Sequence, residues 1–172
     1  MTAAEAIKNR RSIRKYKKGA EVSDGQIEEI LTAAMMAPSA GNSRPWEFIV
    51  LKDRKKLEAI MAIHPHTKML ETASLAILVC GLPPDPAGHL AQFMPQDCGA
   101  ASQNILLKAF ELGLGTCWCG VYPIQERVDK ISALLKDVLS PGSIPFNVIA
   151  VGVPDENPQA RGKFEKVRVK TA

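Results

Sequence analysis

Apolar positions recur along the chain in two rhythms, one helical and one extended, separated by polar breaks. Thr2 and Glu5 have the spacing of a reciprocal N-terminal cap, which predicts a short helix over residues 2–10. Ser23 and Gln26 form a second such pair, opening a helix on which Ile27, Ile30, Leu31 and Ala34 share one face, to about Ala37. Pro38, Gly41 and Pro45 interrupt the backbone and predict an ordered loop. Trp46–Leu51 is aromatic and β-branched and predicts a strand, and Asp53 is placed to cap a helix over 54–63. His64-Pro65-His66 then reads as a surface break, and 74–81 as a buried strand. Pro83, Pro84, Pro86 and Gly88 predict a loop over 82–90, a candidate lid. The helix expected over 92–112 carries Gly99, Ala100, Ala101 and Ser102, small residues that allow close approach, so it should be central. Gly115–Gly120 is extended, 125–135 helical, and Ile144–Gly152 an apolar strand. Residues 153–172 have no core pattern and form a tail, either disordered or laid on a partner subunit.

Interspersed helices and about four strands point to a sheet covered by helices on both faces. Pattern alone does not order the strands. The 172 residues fit one domain, 1–172, large enough to bury a core without staples. With 46% hydrophobic and 23% charged residues the composition is that of ordinary globular proteins, which sets aside collagen, coiled-coil and disordered classes. The longest unbroken apolar stretch, Leu75 to Cys80, falls far short of the ~20 residues of a bilayer crossing. Residues 1–15 hold Lys8, Arg10, Arg11 and Arg14 before Lys15 and no apolar segment, so no secretory signal is expected. Four cysteines do not suggest a disulfide framework, so a reducing, cytoplasmic setting is expected.

Charge changes this picture, because the net +4 is unevenly placed. Residues 8–18 hold seven basic side chains and no acid, and residues 161–170 hold five against Glu165. The remainder is net acidic. A nucleic-acid binder is more often basic along a whole face and rich in stacking aromatics, which here are only 5%. Two basic ends on an acidic body suit one small anionic ligand, although solvated termini would look the same.

Several familiar signatures fail. Gly113, Gly115 and Gly120 follow a helix rather than a strand and miss the G-x-G-x-x-G spacing, so a helix cap and turn account for Gly113 and Gly115. Cys117 and Cys119 lack two further ligands for a metal site, and His64 and His66 read as surface residues. No G-x-S-x-G elbow surrounds Ser39 and no P-loop is present. The productive constellation is Arg10-Arg11-Ser12-Ile13-Arg14 with Pro38-Ser39-Ala40-Gly41-Asn42-Ser43-Arg44-Pro45-Trp46. Arginine forks suit a phosphate. A stiffened loop can hold backbone N–H groups and an Asn amide against the mixed edge of a planar heterocycle.

Five pieces in order make the sequence resemble the nitroreductase family of flavoenzymes. They are R-R-S-x-R at 10–14, A-P-S-x-x-N-S-x-P-W at 37–46, the helix from Asp97 into Leu112-Gly113-Leu114-Gly115, the Trp118-Cys119-Gly120 segment, and Arg161-Gly162-Lys163. The second is the most specific, and together they span nearly the whole chain. The resemblance implies an α/β (α+β) sandwich with a central, mostly antiparallel sheet, and a homodimer that exchanges its C-terminal tail, residues 153–172. It implies FMN held at the interface, and NADH or NADPH as electron donor for nitroaromatic, quinone or flavin acceptors in a ping-pong mechanism.

By the same resemblance, Arg10, Arg11, Ser12 and Arg14 form the cluster on phosphate, ribityl and ring. Pro38, Ser39, Ala40 and Asn42 come from the other subunit. Lys68 contacts the ring, Gly120 with Trp118 and Val121 forms the segment that donates to flavin N5, and Arg161 and Lys163 reach the phosphate. No side chain is expected to be catalytic, no metal, nucleic acid or membrane is implied, and FMN carries the chemistry. The sequence departs from the family at Arg44, where Gln is frequent, and it lacks the helices that cover the site in longer members. Other flavin reactions on the same fold (desaturation, dehalogenation, flavin processing) and a non-enzymatic flavin-binding or basic nucleic-acid-binding module are the competing readings.

Overall fold

The computed structural model describes residues 1–83, 91–160, 162 and 164–172. Both predicted capping pairs are made. Thr2 and Glu5 close the start of α1 (Ala3–Asn9), and Ser23 and Gln26 that of α2 (Asp24–Met35). Strand β1 (Trp46–Leu51) leads through the Asp53 cap into α3 (Arg54–Ile63), then β2 (Leu75–Gly81). After residues 84–90, which lie outside the described residues together with most of the candidate lid, come α4 (Met94–Glu111), β3 (Gly115–Gly120), α5 (Gln125–Leu134) and β4 (Ile144–Gly152). No helix among the described residues is long and apolar enough to cross a membrane.

The four strands form one sheet in the order β1-β2-β4-β3, and every pairing is antiparallel. The expected α+β architecture with an antiparallel sheet is therefore present. Side chains alternate across β2 and sort the core into two layers. Leu75, Ile77 and Val79 pack with Ile30 of α2 and Cys98, Ala101 and Ile105 of α4. Ala76, Leu78 and Cys80 pack with Leu57 and Ile60 of α3 and Ile131 of α5. Helix α4 touches α1, α2 and all four strands, the central position its small residues anticipate.

Gly113 adopts φ +76° just past α4, and the Leu114 N–H reaches back to the Ala109 carbonyl (2.8 Å). This is a glycine helix terminus, not a phosphate-binding turn. Gly115 has a different reason to be glycine: an added Cβ would sit 2.8 Å from Ile13 side-chain atoms. Gly115→Ala should therefore push residues 12–14 off β3 and cost about 1–3 kcal/mol of stability, as overpacking does. A denaturant titration reads this directly, and an unchanged midpoint would show that the contact yields freely.

Candidate functional site

The basic segment after α1 is anchored as an edge to the sheet. Arg10 caps α1, Ser12 forms a parallel bridge to Thr116, and the Ile13 N–H donates to the Thr116 carbonyl at 2.8 Å. Ile13 and Tyr16 are buried beneath, and the Tyr16 hydroxyl donates to the Ile13 carbonyl at 2.8 Å. Arg14 stays exposed. The first part of the tail is fastened to this segment. Glu156 accepts from the Arg14 and Lys15 N–H groups, and Gln159 O accepts from Arg11 Nε at 2.9 Å. Arg11 also donates to the Arg10 and Lys8 carbonyls, so its guanidinium is turned onto backbone.

Beside this edge lies a cavity of about 610 Å³, within the size range of small-molecule sites. Arg14, Lys68, Trp118 and Gly120, four of the residues singled out by sequence, line it together with Cys117 and Cys119. Each arrives by a different route. Arg14 comes from the edge segment, Lys68 from the first turn of a 3-10 helix (Lys68–Glu71), and Trp118 and Gly120 from β3. Trp118 is half-exposed and meets Phe146 edge-on, ring centroids 5.9 Å apart. A Cβ on Gly120 would meet nothing within 4 Å, so the cavity is open there. Val121 is instead fully buried in the core, and its N–H donates to the Phe146 carbonyl at 3.0 Å, which leaves it no role on the cavity wall.

His64 corrects the sequence reading. It is not at the surface but 1% exposed, and its Nε2–H donates to the Gly120 carbonyl at 2.8 Å. Its Nδ1 accepts from the His66 N–H at 3.2 Å. The signal was available: Leu57, Ile60 and His64 fall at i, i+3 and i+7, the buried face of α3. Pro65 ends the helix but does not move that face. His64 and Arg127, whose Nη1 also donates to the Gly120 carbonyl (3.2 Å), together fix the end of β3.

The bond that Nδ1 accepts from the His66 N–H requires the neutral ring, and burial pushes the His64 pKa below the ordinary 6.5. The unfolded chain then takes up the proton first as pH falls. The His64 contribution to stability should be lost as pH drops below about 6.5, with a slope of at most one proton. Thermal melts at stepped pH should show a shallower decline in His64→Gln, and equal slopes in the two proteins would contradict this.

The loop from Pro38 to Arg44 does not line the cavity of its own chain. It is tightly shaped all the same. Gly41, Asn42 and Arg44 have φ of 56°, 55° and 46°, a conformation that costs non-glycine residues of order 1 kcal/mol each. Ser39 Oγ accepts from the Arg44 N–H at 2.9 Å, and the Ser39 carbonyl from the Asn42 N–H at 3.0 Å. Asp97, from the first turn of α4, accepts the Ala40 N–H at 3.0 Å through Oδ1. It is 5% exposed, and no described residue bonds its other oxygen. Sequence reasoning noted Asp97 only as the start of a helix motif, since an acid in a first helical turn is common. Arg161 and Lys163 lie outside the described residues. No cluster of three or more His, Cys, Asp or Glu side chains capable of holding a metal occurs among the described residues.

The nitroreductase family model matches residues 7–75 and 64–145. A Methanothermobacter thermautotrophicus protein named for NADH dehydrogenase/NAD(P)H nitroreductase activity is 47% identical over 169 residues, 98% of this chain and 86% of its own. A crystal structure from Parabacteroides distasonis, named for the same activities, superposes with a TM-score of 0.89 at 37% identity, covering 98% of this chain and 96% of that one. A nitroreductase from Desulfovibrio desulfuricans, solved in complex with FMN, superposes with a TM-score of 0.81 at 30% identity, covering 100% and 97%.

Proposed function

Because the chain belongs to the nitroreductase family, we propose that it is an FMN-dependent oxidoreductase. It draws electrons from NADH or NADPH and passes them to nitroaromatic, quinone or flavin acceptors. One observation carries the reading: Arg14, Lys68, Trp118 and Gly120, distant in sequence, line a single cavity of about 610 Å³. The wall suits a planar ring that gains negative charge. Arg14 and Lys68 supply positive charge for its polar edge, Trp118 and Met69 supply apolar contact, and the bare backbone of Gly120 permits close approach. FMN held by these residues would supply the two-electron chemistry between nicotinamide and acceptor.

The residues of the chain bind and orient. Arg10 and Ser12, at the edge segment, serve the phosphate and ribityl chain with Arg161 and Lys163. His64 is not available as an acid or base, because both ring nitrogens are already hydrogen-bonded to backbone. The loop Pro38–Asn42, with Ser39, Ala40 and Asn42, completes the cavity of a second copy in a homodimer. Support for that arrangement comes from the loop's absence from its own cavity and from the exposed Met35, Met36, Phe164, Val167 and Val169. In this dimer the end of the tail lies on the partner.

In this reading nicotinamide and acceptor meet the flavin in the same cavity, so the nicotinamide leaves before the acceptor enters. Steady-state reciprocal plots at several acceptor concentrations should be parallel, and intersecting lines would refute the shared cavity. Replacing His64 or His66 by Gln should slow the nicotinamide half-reaction less than about tenfold, since positioned acid–base groups contribute about 10²–10⁴.

A further inference from the structure

We propose that Cys117 and Cys119 form a two-sulfur site for trivalent arsenicals, opening onto the cavity beside Arg14. The two residues are separated by one position on β3, so the alternation of the strand turns both side chains to the same face. Both line the cavity with Arg14, each nearly buried in its wall. The Cys119 thiol donates to the His66 carbonyl at 3.2 Å, which fixes its direction. The neighbouring Cys119 thiol, and then Arg14, hold the Cys117 thiol below its ordinary pKa, and Cys119 is pushed up in turn. Cys117 is thus the readier sulfur for a first attack, and Cys119, on the same face of the strand, is placed for the second.

The other two cysteines do not compete. Cys80 and Cys98 sit in opposite core layers, and burial raises both thiols, Cys98 to about 12.

The geometry also selects the ligand class. Two residues apart on a strand, the Cα atoms are about 6.6–6.8 Å apart, at the long limit for a disulfide. A bridging atom spans such a pair more easily than a direct S–S bond. Zinc needs four ligands, and no cluster of three or more metal-binding side chains occurs among the described residues. An organoarsenic oxide needs only two sulfurs, because its third bond is to its own carbon. Two S–As bonds form, the As–O bond breaks, and the oxygen leaves as water with both thiol protons. No oxidant or reductant is involved.

The sequence makes the test clean. Trypsin releases residues 69–108, with Cys80 and Cys98, and residues 109–127, with Cys117 and Cys119. The folded full chain is treated with phenylarsine oxide, both as purified and after dialysis to remove cofactor. It is then freed of reagent and either titrated for thiols in denaturant or digested for mass spectrometry. One adduct per chain, confined to 109–127, with the thiol titre falling from four to two, is expected. Cys117→Ser and Cys119→Ser should each weaken retention at least about a hundredfold, because the second bond is intramolecular. Cys80→Ser should change nothing. No adduct in either preparation, an adduct on 69–108, or full retention in either Cys117→Ser or Cys119→Ser would overturn the site. Peptide mapping of the unmodified sequence decides the matter even if a serine variant fails to fold, and none of these results depends on whether the protein binds FMN.

Discussion

Replacing Arg10 and Lys163 together by alanine is expected to lower FMN affinity by more than tenfold while leaving riboflavin affinity nearly unchanged. Arg10 is half-buried at the C-terminal cap of α1 and makes no ion pair with any described residue. Burial, and then the neighbouring Arg11, lower its pKa. It is thus a cation held where it lacks a counter-charge, and the terminal phosphate of FMN would supply one. Lys163 is the second basic group assigned to that phosphate, from the opposite end of the chain. Each charge-assisted contact contributes about 1.5–3 kcal/mol, so even one lost contact accounts for a tenfold change. Fluorescence titration of the two flavins against parent and variant checks this. Equal losses for FMN and riboflavin would place these side chains away from the phosphate.

Asp97→Ala should weaken flavin binding about tenfold or more, and Asp97→Asn should restore most of it. The Asp97 carboxylate holds the Ala40 N–H of a loop that keeps Gly41, Asn42 and Arg44 at positive φ. Truncation leaves that N–H without its acceptor, at a cost of about 1–3 kcal/mol, and frees the loop to relax. Asparagine keeps an acceptor at the same position. The same titration, run beside thermal melts, separates loop positioning from general loss of fold. Parent-like FMN affinity in Asp97→Ala would remove the loop from the flavin site.

The elements that fix this site differed in how plainly the sequence announced them. Trp46–Leu51 and Arg54–Ile63 carry strong local signals, a β-branched run and an Asp cap, and appear with the expected bounds. The strand order β1-β2-β4-β3 is set by long-range pairing that no local pattern encodes. The arginine motif at 10–14 was visible as chemistry. Its attachment to β3 was not, because a single bridge from Ser12 to Thr116 leaves no periodicity to read. His64 was misread because a His-Pro-His break looks solvent-facing, although its helical register with Leu57 and Ile60 buries it. Asp97 was legible as part of a motif but not as a support for a loop 57 residues earlier in the chain.

In the proposed function, nicotinamide and acceptor exchange electrons through one flavin in the Arg14–Lys68–Trp118–Gly120 cavity. Its most direct test is the visible absorbance of the purified full chain under anaerobic conditions. A flavin band is expected, present as isolated or gained on adding FMN, that NADH or NADPH bleaches and a quinone or nitroaromatic restores. A chain that takes up no FMN, or a bound flavin band that neither nicotinamide bleaches, would contradict it.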